Sequence, residues 1–271
     1  QTGGLTIGNT FTFSLWFNTD TTPSSSTLLG SLNYHTGSTG NAGNFIVRIS
    51  NSTTIAFFSY DASSNSESIS ATIPALTTGE WYHLALTNDG TTGKIYLNGS
   101  PITTTGGNTK TLDDLSNGLH IGDDITSHGN SPFNGKLSNA QIFNTALDAT
   151  GSNSVETLYN YGTPLSSMSG FTSLQGWWKL DASATFNSST STWSIPDDSS
   201  NSNTGTSNGM TAANLVQSNL LITQPYSRYA LYFDGVSDYA TSDSNPAQLN
   251  TVSLSIWVKR DGSQQLSAGV F

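Results

Sequence analysis

The chain has 271 residues, 34% of them hydrophobic and only 10% charged, with no cysteine and a formal net charge of −10. That balance excludes disulfide and thiolate chemistry, and it argues against nucleic acid as a partner, because phosphate recognition calls for clustered Lys and Arg. No apolar run approaches the roughly 20 residues a membrane-crossing helix needs, so membrane insertion is not expected.

Ser, Thr, Asn and Gly supply most of the polarity, and these residues favour turns and half-exposed strands over helices. In chain order, Phe11, Phe13, Leu15 and Phe17 alternate with Thr12, Ser14 and Trp16, the two-residue period of a strand. Short apolar or alternating runs follow at 44–49, 54–60 and 81–87. KIYLNGSPI, Lys94 to Ile102, predicts a hairpin, since Asn98-Gly99 accepts the left-handed backbone of a tight turn. Two further strands are expected at 118–122 and 136–144. One short helix is expected over Ser152–Tyr161, with Val155, Leu158 and Tyr159 on one face. A polar break, GTPLSSMSG, spans 162–170. GWWKLD (176–181), a long Ser/Asn/Asp loop, ALYFDGVSDYA (230–240) and TVSLSIWVKRD (251–261) come after it. Strands at this spacing predict an all-β sandwich or barrel.

The last of these stretches matches one near the start. Thr10, Ser14, Trp16 and Asp20 of TFTFSLWFNTD correspond to Thr251, Ser255, Trp257 and Asp261. GEWYHLALTNDGTTGKIYLNG (79–99) and LHIGDDITSHGNSPFNGKLSNAQIFNTAL (119–147) resemble the central motifs of laminin-G-like, concanavalin A-like jelly rolls of the lectin/glucanase superfamily. The stretches that usually open such a domain, similar to WWKLD, DSS-N-N-G, YFDGVSDY and LSIWV, occur here only after Gly176. The resemblance implies a concanavalin A-like jelly-roll β-sandwich in tandem with a second, incomplete copy. Residues 1–165 then form a jelly roll lacking its first strand, 166–173 a linker, and 174–271 the N-terminal part of a second jelly roll. The chain is expected to be a window on a longer tandem array, with neighbouring repeats of the same chain as partners.

Hydrolysis in this superfamily needs two carboxylates about 5 to 10 Å apart. Glu67, Glu80 and Glu156 are scattered, and the pairs Asp113-Asp114, Asp123-Asp124 and Asp197-Asp198 are adjacent residues, which on a strand point to opposite faces. No G-x-S-x-G elbow is present. His83, within WYHLALT, reads as a strand residue. No catalytic residue and no enzymatic activity are expected.

Calcium is the expected cofactor, being a hard cation that takes six to eight oxygens from Asp, Asn and carbonyl groups. The family resemblance implies a place on the sandwich rim, and two loops offer the oxygens, one with Asp123 and Asp124, the other with Asp197, Asp198 and Asn203. Sugar recognition needs aromatic platforms beside polar partners. The candidate glycan-binding residues are Tyr34, His35, Tyr60, Asp61 and His128, with their loops converging at one end of the sandwich. Trp16, Trp81, Trp177 and Trp257 read as core residues, and Trp193 has no evident place.

Two function classes follow. One is a non-catalytic carbohydrate-binding or adhesion module of a larger surface or virion protein, with a glycan or polysaccharide as partner. The other is a structural repeat or decoration module without a ligand. Cysteine-free, Ser/Thr/Asn-rich tandem jelly rolls of this kind are similar to those of bacterial surface proteins and marine phage virion proteins. The location this implies is extracellular, on a cell or virion surface.

Overall fold

A computed structural model describes residues 5, 7–31, 44–61, 63, 65–112, 118–123 and 131–220. The chain divides into two compact units, 1–224 and 225–271, and every described residue lies in the first.

The N-terminal half supplies β1 (Thr10–Thr19), β2 (Ser26–Ser31), β3 (Phe45–Asn51), β4 (Thr54–Tyr60), β5 (Ser66–Thr72) and β6 (Trp81–Asp89). Then come β7 (Gly93–Leu97), β8 (Ser100–Ile102), β9 (Thr104–Gly106), β10 (Leu119–Ile121) and β11 (Gly135–Phe143). A short helix, α1 (Val155–Tyr159), precedes β12 (Leu174–Trp178), β13 (Thr185–Asn187), β14 (Thr192–Ile195) and β15 (Gly205–Thr206). One six-stranded sheet has the order β12-β11-β1-β6-β7-β8, and a second has the order β10-β2-β3-β4-β5-β9. β13, β14 and β15 form a small third sheet. All the strand pairings are antiparallel.

The alternation in β1 explains the sandwich. Phe11, Phe13, Leu15 and Phe17 turn to one face and are fully buried against the second sheet. Phe13 stacks on Phe45 of β3 with ring centroids 4.7 Å apart, and Phe11 lies 5.3 Å from Phe57 of β4. Each such side chain removed from water contributes about 1.5–3 kcal/mol. The opposite face of β1 is also buried. Trp16 packs against His83 of β6 and Tyr159 of α1, with ring centroids 5.0 and 5.8 Å away. A second apolar cluster, including Tyr96, Phe143, Leu158, Met168 and Trp177, covers this outer face of the first sheet.

The expected helix is shorter than its sequence pattern, spanning Val155–Tyr159 with a 3-10 turn at Asn160–Gly162. Ser154 caps its start by accepting from the Thr157 backbone N–H at 3.2 Å. Asn160 ends it in the left-handed conformation, at φ 45°. The hairpin at Asn98-Gly99 forms as its turn chemistry implies, with φ of 51° and 74°. Gly99 is required on a second count: a Cβ there would sit 2.7 Å from the ring of Tyr159, so the helix docks directly on the turn.

Leu174–Trp178 is the outer strand of the first sheet, paired with β11 through Gln141–Trp177 and Ala140–Trp178. The two consecutive tryptophans point to opposite faces, as strand geometry demands. Trp178 is 1% exposed in the inter-sheet core, and Trp177 is 4% exposed in the outer cluster. Gly176 makes room for this: a Cβ there would lie 2.3 Å from the Trp178 ring, which folds back over it. Leu180 and Ile195 also pack against the main core. The strand read as the opening of a second copy is thus the edge strand of the first sheet, next to β11. The stretch 166–173, read as a linker, leads from the segment after α1 into that strand. The matching strand at Trp257 and the YFDGVSDY stretch lie outside the described residues.

Candidate functional site

Register fixes which loops share an end of the second sheet. Ser31 pairs with Leu119, Phe45 with Ser59, and Tyr60 with Ser66. The Tyr60 N–H donates to the Asn44 carbonyl at 3.0 Å. Tyr60 and Asp61 thus stand at one end. Asp123 stands at the other, because Gly122 donates to the carbonyl of Leu28 and Thr27 donates to that of Ser131. Asp123 and Ser131, which flank His128 in the chain, are therefore not brought to the Tyr60–Asp61 end. Tyr34, His35, Asp124 and His128 themselves lie outside the described residues.

At the first end, Asp61 organises its own turn. Its carboxylate accepts from the Ser63 N–H at 2.9 Å, the Asn65 N–H at 2.9 Å and the Asn65 side-chain amide at 3.0 Å. Lys110 completes the set with an ion pair at 2.9 Å. The Asn65 amide first, and Lys110 second, hold the carboxyl well below the usual carboxylate range. Beside it, burial pulls the Glu67 carboxyl upward, but donation from the backbone and hydroxyl of Thr109, at 2.6 and 2.7 Å, leaves it below its ordinary value. The sequence had marked Asp61 but not Lys110, because nothing local links residues so far apart in the chain.

A buried amide staple underlies this end. The Asn88 side chain donates to the Asn108 carbonyl at 2.7 Å, and the Asn108 N–H donates back to Asn88 at 3.1 Å. Ser59 of the second sheet donates to the Asn108 side chain at 2.5 Å, so the staple joins both sheets.

The loop expected to hold calcium at Asp197, Asp198 and Asn203 has a different chemistry. Asp197 is 7% exposed, and its oxygens accept from the N–H groups of Trp177 (2.8 Å), Ser199 (2.9 Å) and Asn203 (2.8 Å) and from the Ser199 hydroxyl (2.9 Å). Asp198 pairs with Lys179. Three N–H dipoles and an ammonium present positive charge where a cation would need oxygen lone pairs, so these residues do not fit calcium. Among the described residues, no cluster of three or more His, Asp or Glu side chains is placed to hold a metal ion.

His83 is fully buried, and its Nε2 lies 2.9 Å from the Ser14 hydroxyl. Burial pushes its pKa down to about 3, so the ring is neutral. The pair sits beneath Trp16 and Tyr159, out of reach of any substrate.

A cleft of about 600 Å³ opens between the 166–174 segment and the 198–200 turn. Its wall carries the exposed serines Ser166, Ser169, Ser173 and Ser200 together with the Lys179–Asp198 pair. Met168, Phe171, Leu174 and Trp177 form its apolar side. The Lys179 ammonium lies 4.5 Å from the centre of the Trp177 ring. The sequence reading missed this site, since the serines of 166–173 have the composition of a linker.

The family profile of the concanavalin A-like lectin/glucanases superfamily matches residues 1–151. Among solved structures, a candidate carbohydrate-binding protein from Bacteroides ovatus is 23% identical with a TM-score of 0.53, covering 74% of this chain. The chain spans about half of that protein, 52%. Domain 4 of AbnA, an extracellular arabinanase from Geobacillus stearothermophilus solved with arabinotriose, is 20% identical with a TM-score of 0.42, over 58% of this chain and 70% of that one. Mouse laminin α1 domains LG4-5 are 15% identical with a TM-score of 0.39, over 56% of this chain and 41% of theirs. No curated protein sequence matches the chain. With two antiparallel sheets, a shared core and a profile match over more than half its length, the chain belongs to the concanavalin A-like lectin/glucanase superfamily.

Proposed function

We propose that the protein is a non-catalytic carbohydrate-binding or adhesion module of a larger extracellular protein. The superfamily unites lectins and glucanases, and the state of the carboxylates favours the lectin side. A glycosidase needs one carboxyl held protonated as a general acid, with its pKa raised. Here every described carboxyl with a shifted pKa is shifted the other way: Asp61 by Asn65 and Lys110, Glu67 by Thr109 against burial, and Asp89 by the N–H of Thr92 and the hydroxyl and N–H of Thr91. The family match over residues 1–151 carries the reading, and these carboxylates, each held by hydrogen bonds to its own or a neighbouring turn, are consistent with it. The Bacteroides ovatus neighbour, itself a candidate carbohydrate-binding protein, is consistent with it.

The extracellular setting and the tandem arrangement belong to the same proposal. The match between TFTFSLWFNTD and TVSLSIWVKRD supports the repeat, and weak single sites in repeated modules gain strength through avidity. No helix among the described residues is long and apolar enough to cross a membrane. The test is a glycan array probed with the full chain, followed by titration of any hit. Saturable binding supports the module as a lectin. Silence across a broad array supports the structural repeat instead.

A further inference from the structure

We infer that the cleft between the 166–174 segment and the 198–200 turn is a binding site for a neutral saccharide of one or two rings. The inference rests on the carbohydrate-binding reading and deepens it. The cleft lies outside the segment 1–151 that the family profile matches.

Three features point to that ligand. The first is size: about 600 Å³ falls within the roughly 300–1,000 Å³ typical of small-molecule sites. The second is the mixture of surfaces. A sugar ring presents apolar C–H faces and an equatorial belt of hydroxyls, so it needs an apolar wall beside many small donors and acceptors. The half-buried Phe171 and Leu174 supply the apolar part, and Ser166, Ser169, Ser173 and Ser200 supply hydroxyls that make no hydrogen bond to the protein among the described residues. The third is the ion pair. Lys179 offers only donors and Asp198 only acceptors, so two neighbouring sugar hydroxyls can accept from one and donate to the other. Because Asp198 already neutralises Lys179, and the chain carries −10 overall, an anionic sugar would find no uncompensated positive charge in this cleft.

The wall is also held in place before any ligand arrives. Trp177 donates its ring N–H to the Asn139 side chain at 3.0 Å and its backbone N–H to Asp197 at 2.8 Å. Asp197 in turn fixes Ser199, next to Asp198 and Ser200. A pre-ordered site loses less conformational freedom on binding.

The experiment titrates the full chain with cellobiose, xylobiose and maltose at millimolar concentration, followed by tryptophan fluorescence, because Trp177 lies under the cleft. Asp198→Asn and Ser166→Trp are compared with the unaltered chain, and thermal melting confirms that each variant is folded. Ser166 is exposed, so the tryptophan fills the cleft without entering the core. The expected result is saturable binding of at least one disaccharide, weakened about tenfold by Asp198→Asn, the loss of one charge-assisted hydrogen bond, and abolished by Ser166→Trp. Binding that neither folded variant alters would overturn the cleft while leaving the carbohydrate-binding reading in place. No binding of any of the three sugars would overturn the inference, and a silent glycan array would then remove the reading beneath it.

Discussion

Asp197 receives the backbone N–H of Trp177 at 2.8 Å, and through that bond one loop carboxylate seals the outer edge of the first sheet. The Trp177 carbonyl accepts from Asp198 N–H at 2.8 Å, and the Gln175 carbonyl accepts from the Asn201 side chain at 2.8 Å. An open edge would be a template for pairing with another chain. Here the loop occupies it. Asp197→Ala leaves several buried donors unpaired, which costs about 2–4 kcal/mol. A lowered melting temperature is expected, by the same amount with calcium or with a chelator. A loss seen only in calcium would show that the carboxylate binds a metal.

Gly176 and Trp178 test the fit of the edge strand. A methyl group at Gly176 meets the Trp178 ring at 2.3 Å, with no room on the core side. Gly176→Ala should therefore destabilise the protein by about 1–3 kcal/mol through overpacking. Gly151→Ala, at a loop position where a Cβ meets nothing within 4 Å, pays only the cost of its positive φ, 110°. Denaturant midpoints rank the two; a milder effect at Gly176 than at Gly151 would contradict the packing described here.

His83 sets a pH dependence. Its folded pKa of about 3 lies below the ordinary 6.5, so the unfolded chain binds the proton more tightly. Its neutral burial is therefore fully compatible with folding above pH 6.5, and stability is lost as the pH falls from there toward about 3. Asp61, Glu67 and Asp89 act in the same direction, but only as the pH falls through their lower carboxylate range. Chemical denaturation at pH 7, 6, 5 and 4 should show a declining midpoint, and His83→Gln should flatten the decline above pH 5. An unchanged slope in that variant would mean that the ring is not buried neutral.

Much of the fold was legible in the sequence, because short-range periodicity carries it. The alternation of Phe11 to Phe17, the Asn98-Gly99 turn and the apolar face of Val155 and Leu158 each act locally, and each appears as read. The partner of the WWKLD strand was not legible. Periodicity says that Leu174–Trp178 is a strand but not that its neighbour is β11, since pairing is decided by the whole core. Asp197 misled for a related reason: an Asp/Asn/Ser loop looks rich in oxygen, while the backbone N–H groups that fill it are the same in every sequence. The cleft was hidden because exposed serines have the same composition in a linker as in a binding wall.

A carbohydrate-binding module binds its glycan without cleaving it. The most direct measurement is ligand-observed NMR of the full chain with a panel of neutral oligosaccharides, since one set of spectra reports both contact and chemical integrity. Saturation transfer to at least one sugar is expected, with its anomeric resonances unchanged over a day. New reducing-end resonances, absent from the protein-free control, would contradict the non-catalytic reading, and no transfer to any sugar would contradict the carbohydrate-binding one.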